Sequence, residues 1–201
     1  MSSVRVAGAC GWALNDEVIG RRVPFCDFEV PGVPMTADEL KSVQAPLKAQ
    51  YREEPEAARK TLSVTGQVNV ESLICRLNTA VGPVDSGLHP AAGGSGEEAC
   101  SGDMLLEALI ACAGVTFSAV ATAMSIPIQS ASITAEGVID FRGTLGISKD
   151  VPIGFESIKL KFDVQSEAPQ HQIEKLVELA ERYCVILQTL KTPLTIEASL
   201  T

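Results

Sequence analysis

DMLLEALIACAGVTFSAVATAMS, residues 103–125, has apolar side chains on every face and a single internal charge, Glu107. The spacing predicts a helix from about Asp103 to Ser125, stopped by Pro127. At roughly 1.5 Å per residue such a helix spans about 34 Å. A helix apolar all round either crosses a membrane or is buried as a core helix. Alanine rather than leucine dominates it, and amphipathic segments flank it on both sides, so the buried reading is preferred. One domain in a chain of 201 residues rarely hides such a helix completely. An intertwined homodimer would do so.

Downstream, Ile133, Ala135, Gly137, Ile139 and Phe141 alternate with Thr134, Glu136, Asp140 and Arg142. Ile158, Leu160, Phe162 and Val164 alternate with Lys159, Lys161 and Asp163. Both runs predict half-buried antiparallel strands. A second long helix is expected from about Pro169, with Ile173, Leu176, Val177, Ala180, Cys184 and Leu187 on one stripe. Pro193 ends it, and Leu194, Ile196, Ala198 and Leu200 predict a last strand. Upstream, residues 82–102 hold six glycines and read as a loop, with Ser101 as the cap of the apolar helix. Before it, alternation from Thr61 through Leu62, Val64, Val68 and Val70, then Leu73, Cys75 and Leu77, predicts strands. Thr36-Ala37-Asp38-Glu39 reads as a capping box for a charged helix from Ala37 to Glu53. Residues 1–35 show no regular pattern. The order is α+β: antiparallel sheets around long buried helices. An N-terminal extension with a charged helix, 1–60, precedes a domain at 61–201.

Composition narrows the function. The net charge of -9, with no run of Lys or Arg, excludes nucleic acid as a partner. The first residues lack the apolar run of a secretory signal, so the expected location is cytoplasmic, with no membrane. Six cysteines occur, at 10, 26, 75, 100, 112 and 184, and none forms a CxxC pair. This argues against a zinc ribbon or a thioredoxin motif. Scattered thiols in a reducing compartment stay free, and packing is the plain expectation for Cys75 and Cys100. The glycine-rich loop lacks a GK[ST] ending and carries Glu97, Glu98 and Asp103, so it is no phosphate cradle. His89 and His171 lie far apart and read as capping or solvated residues rather than metal ligands. Neither a metal nor an organic cofactor is expected.

The glycine-rich GGSGEEACSGD, then Leu105-Leu106-Glu107-Ala108-Leu109-Ile110-Ala111-Cys112, then two strands and the run LVELAERYCVILQTL ending a later helix around Cys184, resemble the OsmC/Ohr family of thiol-dependent hydroperoxide reductases. The likeness covers about residues 61–201. The Ohr branch opens its cysteine helix with Pro-Glu. Here Ser101-Gly102 stands in that place, which puts the chain with the broader OsmC-like branch. The resemblance implies an OsmC-like fold, an intertwined homodimer and an active site at its interface. It implies that Cys112 attacks an organic hydroperoxide, that Cys184 resolves the oxidised sulfur as a disulfide, and that an external dithiol restores both.

The chemistry of the residue types agrees with that assignment. A thiolate is the nucleophile, and sulfur tolerates reversible oxidation. Burial, however, raises a thiol's pKa, and Cys112 lies too far along its helix to use the N-terminal dipole. A cation must come from elsewhere. The family pairs an arginine with a glutamate near the thiol, and Arg76 is the first candidate, Arg142 the second. Glu107 projects roughly 140° around the helix from Cys112. It reads first as half of an ion pair and second as a catalytic group. Cys100, just before the helix, is an alternative resolving thiol. A different class of function remains open: a module that binds an apolar ligand in the interface cleft without turning it over.

Overall fold

The structure is a computed structural model and describes residues 34–200; Cys10 and Cys26 lie outside these. The capping box is formed as expected. Thr36 Oγ1 accepts the Glu39 N–H at 3.2 Å, and Glu39 Oε2 accepts the Thr36 N–H at 2.8 Å. Helix α1 (Ala37–Glu53) starts from it, carries Pro46 internally and buries none of its residues. Met35–Thr201 form one compact unit, in which α1 lies against the long apolar helix.

Strands β1 (Thr65–Asn69), β2 (Ile74–Thr79), β3 (Gly82–Gly87) and β4 (Ala99–Cys100) form a four-stranded sheet in chain order. The β1–β2 turn is built by Asn69, whose Oδ1 accepts the N–H groups of Glu71 and Ser72 at 3.0 and 3.1 Å. The β2–β3 connection is closed by Gly82, at φ 124, a conformation in which a side chain is strained. Two expectations are corrected here. Residues 82–102 are not one loop, because β3 pairs antiparallel with β2 and β4 runs parallel to β3. Residues 61–64 precede the sheet rather than extending it.

Helix α2 spans Ser101–Ala123. Ser101 is its first residue and not its cap; Cys100 holds the cap position with no side-chain bond. Leu109, Ala113, Phe117 and Ala121, spaced four apart, are its buried residues. The helix is long and apolar enough to cross a membrane, yet only this stripe is buried within the chain, and Val115 on another face is 73% exposed.

Strands β5 (Ser130–Ile139) and β6 (Phe155–Gln165) pair antiparallel, and the expected inward residues Ile133, Ala135, Ile158, Leu160 and Phe162 face α2. Phe141 and Arg142 do not continue β5; they start a short helix, α3 (Phe141–Thr144), capped by Asp140. Helix α4 (Gln170–Tyr183) lays Leu176 and Ala180, both with no exposed surface, onto Phe117, Ala121 and Ile126. Ala121 of α2 and Ala180 of α4 meet in this cluster. The chain then breaks and restarts as α5 (Val185–Lys191). Residues 193–200 form no strand: Leu194, Ile196 and Leu200 are exposed and no neighbour pairs with them among the described residues.

Candidate active site

Helical spacing places Cys112 beside Leu109 and Ala113, on the edge of the buried stripe of α2, where it is half-buried. Cys184 is fully buried and packs in the same cluster. It holds extended backbone (φ -71, ψ 107) between two helices, ending α4 and starting α5. Its N–H bonds Ala180 O at 3.0 Å, closing α4. Its Sγ accepts the Leu187 N–H at 3.4 Å, taking the place an oxygen usually fills at a helix start. The stripe through Cys184 to Leu187 thus belongs to two helices rather than one.

The break decides the electrostatics. It turns the first N–H groups of α5 toward Cys112. Burial pushes the Cys112 thiol up, but the backbone N–H of Ile186, the Cys184 thiol, the Val185 N–H and the Thr116 hydroxyl all favour its thiolate. The outcome is a thiol held below the ordinary cysteine value. Burial pushes Cys184 up; the Leu187 N–H opposes this, the neighbouring Cys112 adds to it, and Cys184 ends above the ordinary value. The two sulfurs titrate as a pair, and Cys112 loses its proton first. One thiolate next to one retained thiol can be oxidised and then bridged.

Arg76 is engaged by a carboxylate. It pairs across the β2–β3 ladder with Asp85, Nε to Oδ1 at 2.7 Å and Nη2 to Oδ2 at 2.6 Å. That partner holds the Asp85 carboxyl below its usual value. Arg142 is likewise engaged, with Asp140. Glu107 is exposed and makes no ion pair among the described residues.

Cys75 packs diagonally against Gly66: its Sγ sits 2.9 Å from where a Cβ on Gly66 would lie, so a side chain there would displace it. Cys100 lines a separate cavity of about 560 Å³ with His89, Phe141 and Phe155. It is three helical turns, about 18 Å, from Cys112, too far for a resolving role within the chain. His89 caps the turn at Pro90–Ala92, its Nδ1 accepting the Ala91 N–H at 3.0 Å, and it stacks on Phe141. Among the described residues no three His, Cys, Asp or Glu side chains gather as a metal site. Thr116 and the Val185 and Ile186 amides went unread in the sequence. Thr116 lies four residues after Cys112 and was open to a spacing argument; the amides required the helix break to be known.

A family model described as OsmC-like protein matches residues 94–199, which include Cys112, Thr116 and Cys184. No curated protein matches the chain. Among solved structures, an OsmC like protein from Mycoplasma pneumoniae superposes with a TM-score of 0.55 at 19% identity, covering 66% of this chain and 88% of that one. An organic hydroperoxide resistance protein from Elizabethkingia anophelis gives 0.53 at 14% identity, with 67% and 90% covered. One from Legionella pneumophila gives 0.52 at 17%, with 66% and 92% covered. At these identities the likeness is one of fold.

Proposed function

The chain belongs to the OsmC-like protein family, and from that premise we propose that it reduces organic hydroperoxides, with Cys112 as the attacking thiolate and Cys184 as the resolving thiol. One observation carries the reading: Cys112 and Cys184 share a cluster in which the first is eased toward thiolate and the second is kept as thiol. The hydroperoxide resistance named for the Elizabethkingia and Legionella proteins agrees with the substrate class. The apolar wall of Leu109, Leu160 and Leu187 around the pair suits a hydrocarbon substituent better than water.

In the first step the Cys112 sulfur attacks the outer peroxide oxygen. The O–O bond breaks, the alkoxide takes a proton and leaves as an alcohol, and sulfenic acid remains. The Cys184 thiol then displaces hydroxide, which leaves as water with the thiol's proton, and a disulfide forms. An external dithiol returns both thiols and is itself oxidised. The chain's own residues supply the thiolate, its amide environment and the second thiol, and the chemistry calls on no metal or organic cofactor.

A second copy of the chain completes the protein in this proposal. Val115 on α2, Val68 in β1 with Val64 and Val70 beside it, and Leu194 and Ile196 after α5 are exposed and apolar. An intertwined homodimer would cover them. A cytoplasmic location belongs to the same proposal, since a reducing compartment would supply the external dithiol.

The reading is tested by adding one equivalent of cumene hydroperoxide to the reduced protein and mapping its peptides by mass. A peptide pair joining Cys112 to Cys184, lighter by two hydrogens, is the expected product. Recovery of Cys112 as an unmodified thiol would overturn the assignment and leave the cleft as a binding site only.

A further inference from the structure

We infer that α5 is a redox-sensitive lid over Cys184, held shut by that residue's sulfur in the reduced chain and loosened when the sulfur is bridged to Cys112. The inference rests on the reading of Cys112 and Cys184 as the pair that forms a disulfide. The start of α5 depends on the thiol: Cys184 holds the cap position, and its Sγ accepts the Leu187 N–H at 3.4 Å. A first-turn amide that loses such a partner leaves the helix start open to fraying. Helix α5 has seven residues, too few to be stable by itself. None of them is buried: Ile186 and Leu187 touch the Cys184 cluster, whereas Val185 and Leu190 are exposed. Two further ties run back to Glu181 of α4. Gln188 Nε2 donates to Glu181 O at 2.8 Å, and Lys191 Nζ reaches the Glu181 carboxylate at 3.7 Å.

One sulfur cannot serve both helices. As a free thiol it turns about its own Cα–Cβ bond to suit the Leu187 amide. In the bridge it is held from a second side, by a residue of α2, and sulfur is a weak acceptor to begin with. Oxidation passes two electrons and two protons from the thiols to the hydroperoxide. Both S–H bonds and the O–O bond break, the S–S bond forms, and alcohol and water leave. That exchange provides no new acceptor for the Leu187 N–H. The consequence has a direction. Cys184 has no exposed surface in the reduced chain, so a dithiol has no path to its sulfur. Loosening of α5 opens a path at the point in the cycle where the dithiol is needed, and return of the thiol shuts it.

The test is amide hydrogen exchange, followed by NMR in the full chain, reduced and after one equivalent of cumene hydroperoxide. A bridge restricts the unfolded chain, so core amides such as those of Leu176 and Ala180 should exchange at the same rate or more slowly once it forms. The Leu187 amide is expected to run against them and exchange about 5-fold faster. A Leu187 amide that slows with the rest overturns the lid. Cys184→Ser keeps an acceptor at the cap and cannot bridge, so its Leu187 amide should ignore the oxidant. Reduced Cys184→Ala should show the fast exchange of the bridged chain, and native-like protection in it also overturns the inference. Diamide, a general thiol oxidant, separates the lid from the enzymatic reading. If diamide joins the two sulfurs and cumene hydroperoxide does not, the peroxidase reading fails and the exchange comparison is made on the diamide-treated chain. A chain that neither oxidant bridges overturns the lid.

Discussion

Cys112→Ser is expected to lower consumption of cumene hydroperoxide, measured with excess dithiol, by at least on the order of 10³-fold, down to background. A serine hydroxyl next to the same amides stays protonated near neutrality and cannot carry a reversible oxidation. Cys184→Ser should behave differently. Its Cys112 is expected to react once with hydroperoxide and stop as sulfenic acid, then proceed to sulfinic acid with more oxidant, because the buried thiol that would close the bridge is gone. The contrast between a first turnover that persists and later ones that fail assigns the two roles. Equal loss in both variants at the first turnover would contradict the division of labour, and undiminished consumption in Cys112→Ser would remove the peroxidase reading altogether.

The second large effect is on stability. Phe117→Ala is expected to cost about 3–5 kcal/mol, read as a fall in the urea midpoint at unchanged slope. Phe117 is 3% exposed and faces Phe162 at a centroid distance of 5.8 Å, tilted by 31°. Phe162 touches both the Leu176–Ala180 cluster and the cluster of Leu109, Ala113 and Cys184. Removing the Phe117 ring opens a void between α2, α4 and the β5–β6 sheet, where small alanines leave little to collapse into it. A cost under about 1 kcal/mol would mean that the stripe at Leu109, Ala113, Phe117 and Ala121 is not the core seam.

The parts of the fold that follow from local chemistry were legible in the sequence. The Thr36–Glu39 box set the start of α1, and the period-two runs at Ile133–Ile139 and Ile158–Val164 set β5 and β6 with the correct inward faces. The stripe on α4 put Cys184 in the core. What required the whole chain was not legible. Strand β3, GPVDSG, has no apolar alternation and exists because its backbone pairs with β2. Residues 194–200 alternate well but have no neighbour in the described chain, and alternation without a partner makes no strand. At the candidate site, Cys112 and Cys184 came from their helical settings and the family resemblance. The pairing of Arg76 was not legible because its partner, Asp85, lies across a hairpin whose register only the fold supplies. The amides of Val185 and Ile186 were hidden because the apolar stripe runs through Cys184 without interruption, giving no sign that the helix stops there.

That joint at Cys184 ties chemistry to cohesion. A bridge from it to Cys112 would close a covalent ring of about 70 residues, running through β5, α3, β6 and α4. Such a ring narrows the unfolded chain's freedom by an amount worth roughly 4 kcal/mol in the entropic account. Thermodynamic linkage makes this mutual: whatever the bridge lends to the folded chain, the folded chain lends to the bridge, so the oxidised protein would resist both heat and weak reductants. In the proposed cycle the renewing dithiol must then be a strong one, and the same two sulfur atoms would serve as a catalyst when apart and as a clasp when joined.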